Sequence, residues 1–573
     1  VFFKTEINFI NLFKNRILSS FVENLFSVLF EYGNNEKIKS KLINEEIIFT
    51  INYEINTLKE ESLIARKTIL SLFHKKKLLD SLKDPVINSE VQKFGKMLHW
   101  NKSDLVIEKM EKINFNKLLE VFPVWLSEIR NIGEILPNKA EIFDLVIVDE
   151  ASQVNLAEVL PIFYRAKKIC VVGDHKQLGL NASGLTFSLS KKFDKIIWNK
   201  YKPNGIDFDM ANFMNLTISK ASILDLIRSE ENKETFKYVM LDEHYRSLPG
   251  LTAFNNKEFY DGELKVMTEI PSKTLVKCFS AIKVLGEKQG KTNTTEAQEV
   301  INTIKFLIGK KLPKDLEEKY KEEIILNKFV PKEPTIGIIS AIRDQVEYIK
   351  DLLDCFTEED FNKHRIVCGT PEEFQGDEFD IVIISTTTDE DSRNNGHYAN
   401  MNRFNVASSR ARYYTVFVYS DVSRIPMYEK YLQHFGVFGQ RQRDPFNILN
   451  WEYEKSNNEH NFVEKVDQAL KDILEEIALD KNIRLFNNIT SCGQKIKFGI
   501  FNEDNEKFIA VEPIGILEKN DIEALYGSKI IKKIEILNKV GWKIATPTYH
   551  KWIEEKCEEE REKLKQIIIE ALL

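Results

Sequence analysis

Residues 143–178 read FDLVIVDEASQVNLAEVLPIFYRAKKICVVGDHKQL, and the rest of the chain is interpreted from them. Leu145, Val146, Ile147 and Val148 form a continuous apolar run, the pattern of a parallel strand covered on both faces. Asp149 and Glu150 stand where that strand must end. A short helical stretch follows, and Ile169–Val172 repeats the apolar run as a second buried strand. Gly173 lets the chain turn sharply behind it, with Asp174 and Gln177 just beyond. Ligands of open α/β sheets bind outside the carboxyl ends of the strands, so these carboxylates and the glutamine are expected at one site.

The residue types suit hydrolysis of a nucleoside triphosphate. A carboxylate at Asp149 is placed to hold Mg²⁺, which neutralises phosphate charge. Glu150 beside it is suited to accept a proton from the attacking water. Gln177 is suited to orient that water or to sense the terminal phosphate.

Here a resemblance enters. VDEASQ followed by VVGDHKQL resembles motifs II and III of superfamily 1 helicases, in the branch that contains the nonsense-mediated-decay RNA helicase. Three further stretches agree in order. LDEHYRSLP at 241–249 resembles the family segment with an arginine after an aromatic. IVCGTPEEFQGDEFDIVIIS at 366–385 is similar to motif V, and NRFNVASSRAR at 402–412 to motif VI. The resemblance implies an α/β fold with two RecA-like parallel-sheet motor domains, a helical N-terminal part and a small α/β C-terminal domain. It implies ATP and Mg²⁺ as cofactors and DNA or RNA, as a single-stranded track, as partner. Arg246 and Arg410 are then expected to reach the terminal phosphate from the opposing domain, where a guanidinium offsets charge on the transferred group. Gly376 and Glu378 join the nucleotide contacts by the same resemblance, Glu378 as acceptor for a ribose or P-loop hydrogen bond. Thr370 and Ser152 are expected against the nucleic-acid backbone.

One family part is missing. No GxxxxGK[ST] loop, whose backbone N–H groups cradle phosphates, occurs before Asp149. Gly95-Lys96 has Met97 after it and a helical context. Because the chain opens on Val1, the expectation is a fragment whose P-loop lies upstream. The expected activity is that of an ATP-dependent helicase or translocase in the full-length protein, with this piece inactive by itself. A non-catalytic motor-like scaffold and a motor-loaded nuclease are the two other readings of the same residues.

The remaining chain divides as follows. Residues 1–115 show apolar residues at helical spacing (Phe9, Leu12, Phe13, Ile17 and Phe21 among them), read as a helical insertion or arm. Residues 116–240 are the first motor domain, 241–430 the second, 431–460 a linker and 461–573 the tail. Residues 311–333 are charged and strand-poor, read as a surface insertion. The tail's order, a helix, a hairpin IKFGIFNEDNEKFIAVEP, a helix and the strand GWKIATP, resembles a Vsr-like PD-(D/E)XK nuclease fold. Lys497 stands where that pattern needs Asp, and Pro513 and Gly515 near where it needs its last polar residue. Only Glu512, with Glu464 on a helix, remains. Two carboxylates are needed to hold a hydrolytic metal, so the tail is expected to be a degenerate nuclease module that docks nucleic acid or a protein partner.

Bulk properties agree with this reading. The chain of 573 residues is long enough for about three or four domains. Six scattered cysteines without CxxC pairs argue against a disulfide framework or zinc site. No apolar run approaches the ~20 residues of a membrane helix, so no membrane partner and a cytoplasmic location are expected. A net charge of −7 gives no global attraction to nucleic acid, which must use local basic patches.

Overall fold

The computed structural model describes residues 45–98, 112–180, 184–229, 237–437, 461–479, 482–513, 528–547 and 557–573. The stripe around Phe9–Phe21, the 438–460 linker and Gly515 lie outside the described residues. Contacts divide the chain into two units, Val1–Asp144 with Pro161–Lys168, and Leu145–Leu160 with Ile169–Leu573.

The first unit is helical. Glu45–Lys83, Pro85–Leu98 and Phe115–Val121 are its main helices, and Gly95-Lys96 lies inside the second, where no phosphate-binding loop can form. Met97, Ile113, Phe115, Leu118 and Leu136 make its core, with Phe94, Trp125 and Phe143 packed against it. Trp125 sits between Phe94 and Phe115, ring centroids 5.4 and 5.1 Å away, and its indole N–H donates to the Phe122 carbonyl at 2.7 Å. Buried Arg165 donates to the carbonyls of Leu136, Pro137 and Pro161, which ties 161–168 to this unit. The helical region therefore runs on through Asp144 rather than stopping at 115, because Phe115, Leu118 and Leu136 share one core.

The second unit starts with two short parallel strands, β1 (Val146–Val148) and β2 (Ile169–Val171). Among the described residues they form a two-stranded sheet. Leu145 is 51% exposed and Ile147 62%, which corrects the expectation of a strand covered on both faces. An apolar run reports what a strand can bury, and a two-stranded sheet offers it little cover.

Two further parallel strands, β3 (Glu243–His244) and β4 (Lys265–Val266), make a small ribbon. The main sheet follows: β5 (Phe279–Lys283), β6 (Ile336–Ser340), β7 (Val367–Gly369), β8 (Phe379–Ser385) and β9 (Ala411–Tyr419). All are parallel, in the order β5-β9-β8-β6-β7. Every residue of β6 and β8 is buried. Ile381 and Ile383 face one core with Ile336, Ile338, Val416 and Val418; Val382 and Ile384 face the other with Phe279, Phe417 and Tyr419. Covered faces on both sides are what such near-continuous β-branched runs require. Residues 311–333 are not a surface insertion. Leu312, Tyr320 and Ile324 are buried in the first of these cores, and the Ser280 hydroxyl donates to the Glu323 carbonyl at 2.6 Å. The helix Lys314–Glu323 presents its charges outward and its one aromatic inward.

The tail is a four-stranded sheet, β10 (Ile483–Ser491), β11 (Gln494–Asn502), β12 (Phe508–Val511) and β13 (Lys543–Ala545). The first three pair antiparallel and β13 joins β12 in parallel. The helices Asn461–Ile477, Ser528–Val540 and Cys557–Leu572 accompany it. No helix among the described residues is long and apolar enough to cross a membrane.

Candidate active site

The loops after β1 and β2 are packed backbone to backbone. Ala151 N–H donates to the Val172 carbonyl at 3.0 Å. A Cβ on Gly173 would meet the backbone nitrogens of Ala151 at 3.1 Å and Ser152 at 3.2 Å, so any larger residue would have to press the two loops apart by a few tenths of an ångström. Glu150 adopts a left-handed conformation, φ 50°, a strained state for a non-glycine residue that turns its side chain off the strand axis. Asp149 is exposed, and one of its oxygens accepts the Glu150 N–H at 2.9 Å. Ser152 is buried and its hydroxyl donates to the Leu178 carbonyl at 2.8 Å. That corrects its assignment to the nucleic-acid surface: its hydroxyl is spent inside the loop pair.

The Asp174 carboxylate organises the second loop. It accepts the Lys176 N–H at 2.8 Å, the Gln177 side-chain amide at 3.0 Å and the Tyr260 hydroxyl at 2.6 Å. Burial, then the Asp174 charge, push the Tyr260 phenol well above its ordinary range.

The main sheet supplies the opposing groups. The helix Met401–Ser408 follows a loop and ends just before Arg410 at the start of β9. Its Asn402 amide donates to the Gln177 carbonyl at 2.7 Å, and its Asn405 amide to the Lys176 carbonyl at 2.8 Å. Arg410 itself is 2% exposed. It donates to the Val406 carbonyl at 3.0 Å, the Asp377 carbonyl at 3.3 Å, the Ser409 hydroxyl at 3.0 Å and the Gln177 side-chain oxygen at 3.1 Å. All four acceptors are neutral. A buried cation without an ionised partner is costly, and burial with the neighbouring Arg246 charge pulls the Arg410 pKa down to about 10.

Glu150 meets the same surface. Its carboxylate accepts the Gln375 side-chain amide at 2.9 Å, and its charge reaches both Arg410 and Arg246. Gly376, at φ +84°, makes the turn after Gln375. Arg246 pairs through Nε with Glu378 at 2.6 Å, and Arg412 pairs with the other Glu378 oxygen. Burial lowers the Arg246 pKa. His244 nearby is driven down to about 4 by burial and by the two arginines, so it stays neutral and accepts the Ser247 N–H at 3.1 Å.

The structure thus brings Glu150, Gln177, Arg246, Arg410, Gly376 and Glu378 to one crevice, with Asp149 at its edge. Glu378 holds Arg246 and Arg412, a use that differs from the ribose or P-loop acceptor expected of it. Thr370 is set apart behind β7; its N–H donates to Glu373 at 3.1 Å. Reading the sequence missed Tyr260, Asn402 and Asn405 as members of the crevice. Only the motif VI resemblance marked the last two, and nothing local marks Tyr260.

The donor set fits a nucleotide with Mg²⁺. Among the described residues no group of three metal-ligating side chains is found; Asp149 would be the carboxylate that holds Mg²⁺, which would supply charge neutralisation at the phosphates. Arg410, whose hydrogen-bond acceptors are all neutral, fits a phosphate oxygen.

Two family models, each described as an AAA domain, match residues 21–179 and 220–421. An uncharacterized ATP-dependent helicase of Mycoplasma genitalium is 26% identical over 316 residues, 52% of this chain and 25% of that protein. Helicase SEN1 of Saccharomyces cerevisiae is 27% identical over 47% of this chain and 11% of its own length. The DNA replication ATP-dependent helicase/nuclease DNA2 of Gallus gallus is 26% identical over 51% and 25%. This chain thus spans a quarter or less of the curated relatives it matches. This chain has a parallel α/β fold and is similar to proteins named as ATP-dependent helicases. The two domain models and the helicase relatives support its place in superfamily 1.

Proposed function

We propose that these residues form the motor of an ATP-dependent nucleic-acid helicase or translocase of the nonsense-mediated-decay-helicase-like branch, with two RecA-like lobes closing on ATP. The observation that carries the reading is Arg410: a buried guanidinium with only neutral acceptors, facing a crevice that also holds Glu150.

In this reading Glu150 takes the proton of the attacking water as its oxygen bonds to the terminal phosphorus and the bridging oxygen leaves with the diphosphate. Gln177, already tied to Arg410, orients that water. Arg410 and Arg246 offset charge on the transferred phosphoryl oxygens, and Glu378 aims Arg246. Gly376 brings its backbone close to the nucleotide. Asp149 would hold Mg²⁺, which supplies charge neutralisation at the phosphates. Thr370 faces the nucleic-acid track. Gln375, bonded to Glu150 and carried on the loop after β7, links track and hydrolysis.

The test is ATP hydrolysis by the full-length protein. Glu150→Gln is expected to bind ATP and single-stranded nucleic acid but not to turn over. Retained turnover removes Glu150 from its role, and failure of the wild type to bind ATP favours the scaffold reading.

The tail supports a docking module rather than a working nuclease. Glu512 is paired with Lys533 at 2.5 Å and accepts the Lys497 backbone N–H at 3.0 Å, so both its oxygens are engaged. A lysine bound to the one matching carboxylate opposes a divalent metal there. Incubation with single-stranded DNA and Mg²⁺ or Mn²⁺ is expected to leave the strand intact; cutting that Glu512→Ala removes would overturn this.

A further inference from the structure

The turn joining β10 to β11, Ser491-Cys492-Gly493, meets the second lobe at β4. Cys492 and Gly493 have φ +54° and +70°, which aims the turn's polar groups outward from the hairpin. The Ser491 hydroxyl donates to the Glu269 carbonyl at 2.6 Å, and the Cys492 N–H to the Glu269 carboxylate at 2.8 Å. The Cys492 thiol reaches the Val266 carbonyl at 3.2 Å. Ser491 and Cys492 are fully buried, and the Trp542 indole N–H donates to the Ser491 hydroxyl at 2.9 Å. Ile270 and Leu275 of the second lobe pack into the tail core of Phe486, Ile489, Leu537 and Trp542. A second contact lies beside it: Lys539 approaches Glu243 at 3.5 Å and stands 5.5 Å from the Tyr245 ring centroid.

Both contacts end on the ribbon that carries Arg246. β4 pairs with β3, and Met267 N–H donates to the His244 carbonyl at 2.8 Å. Arg246 lies two residues beyond β3. The segment's far end is pinned to β9, with the Ser247 hydroxyl donating to the Ala411 carbonyl at 2.7 Å and the Leu248 N–H to the Arg412 carbonyl at 2.9 Å. Arg246 therefore sits on a short span with one end fixed by the main sheet and the other fixed by a two-strand ribbon. Two residue pairs give that ribbon little stability of its own.

We propose that the tail module is a positioning element for the motor site: the 491–493 turn, through Glu269, and Lys539 hold the β3–β4 ribbon so that Arg246 stays aimed into the crevice. The proposal rests on the reading of Arg246 as a phosphate-contacting residue. It makes the tail a handle through which a bound partner changes the hydrolysis rate without touching nucleotide. Misplacing such a group by about an ångström costs up to ~10²-fold in rate.

The test is steady-state ATP hydrolysis by the full-length protein in a mutant cycle. The variants are Glu269→Leu with Lys539→Met, Arg246→Ala, and all three changes together. The undocked pair is expected to lose kcat by roughly tenfold to a hundredfold, with KM for ATP little changed. In the Arg246→Ala background the same pair is expected to cost nothing more, because it acts only through that side chain. Glu269→Gln, whose amide oxygen still accepts the Cys492 N–H, is expected to recover most of the kcat that Glu269→Leu loses. Full kcat in the undocked pair, or a loss that multiplies the Arg246→Ala loss, overturns the proposal. Should Glu269→Leu unfold the protein, Lys539→Met alone decides: this exposed change lowers kcat several-fold, and an unchanged rate overturns the proposal. Wild-type hydrolysis by Arg246→Ala would refute the site reading itself, and this inference with it.

Discussion

The two sheets that frame the crevice are built to different standards. The main sheet has five parallel strands, and every residue of β6 and β8 is buried. The β1–β2 pair has two strands of three residues, with Ile147 largely in the open. Yet both deliver their polar residues at the same place, just past the carboxyl ends of the strands. The strand end sets where the chemistry goes; the number of neighbouring strands sets how firmly it is held. The thin sheet compensates through the loops, which the Asn402 and Asn405 amides grip from the main-sheet side.

Perturbations should separate the two contributions. Glu150→Gln, on the thin sheet, is expected to have the largest effect, roughly 10⁴-fold in turnover with ATP binding kept, read by single-turnover hydrolysis and nucleotide titration. Arg410→Ala or Arg246→Ala, from the robust side, should each cost about 10³-fold; unchanged rates in both would mean the crevice is drawn wrongly. Ile383→Ala in β8 should destabilise by about 2–5 kcal/mol in chemical denaturation.

A pH effect comes next in size. Burial raises the Glu269 carboxyl to about 7, against the pull of the Cys492 N–H. A raised folded pKa means the folded state holds the proton more tightly. The contribution is therefore full below the ordinary carboxylate value and is lost as pH rises through about 7, on the order of 3 kcal/mol at most. Lys257, Asp261 and Glu269 line one cavity of about 460 Å³. Glu269→Gln should flatten that part of the stability–pH curve measured by thermal melts. Ile147→Ala should change stability least, within about 0.5 kcal/mol; a loss as large as that of Ile383→Ala would mean β1 is covered after all.

What could be read from residues alone was local. Asp-Glu after an apolar run, Gly-Asp with a glutamine three residues beyond the Asp, and the loops at 370–378 and 402–412 each carry their chemistry in a few consecutive positions. What could not be read depends on distant partners. Ile147 looks like Ile383 in its strand, and only the missing neighbours make it exposed. Ser152 looks available until the Leu178 carbonyl arrives from the next loop. Glu296 looks like a surface helix residue, but it is fully buried, with Ser385 at the end of β8 and Thr386, Thr387 and Thr388 just beyond it all donating to its carboxylate. The β3–β4 ribbon is two residue pairs long, Glu243-His244 beside Lys265-Val266, too short to show a periodicity, so neither it nor its contact with the tail had a signal to find.

Gly173 has a consequence for motion. A methyl group at 173 would press on the backbone of Ala151 and Ser152 at 3.1 and 3.2 Å, so the segments bearing Asp149–Glu150 and Asp174–Gln177 are packed as a single casting. On the proposed reading, Asp149, Glu150 and Gln177 keep their mutual spacing through the cycle, and adjustment falls to the arginine side. A larger residue at 173 would prise that casting apart at its seam, upsetting the timing of the cycle before it upset the fold.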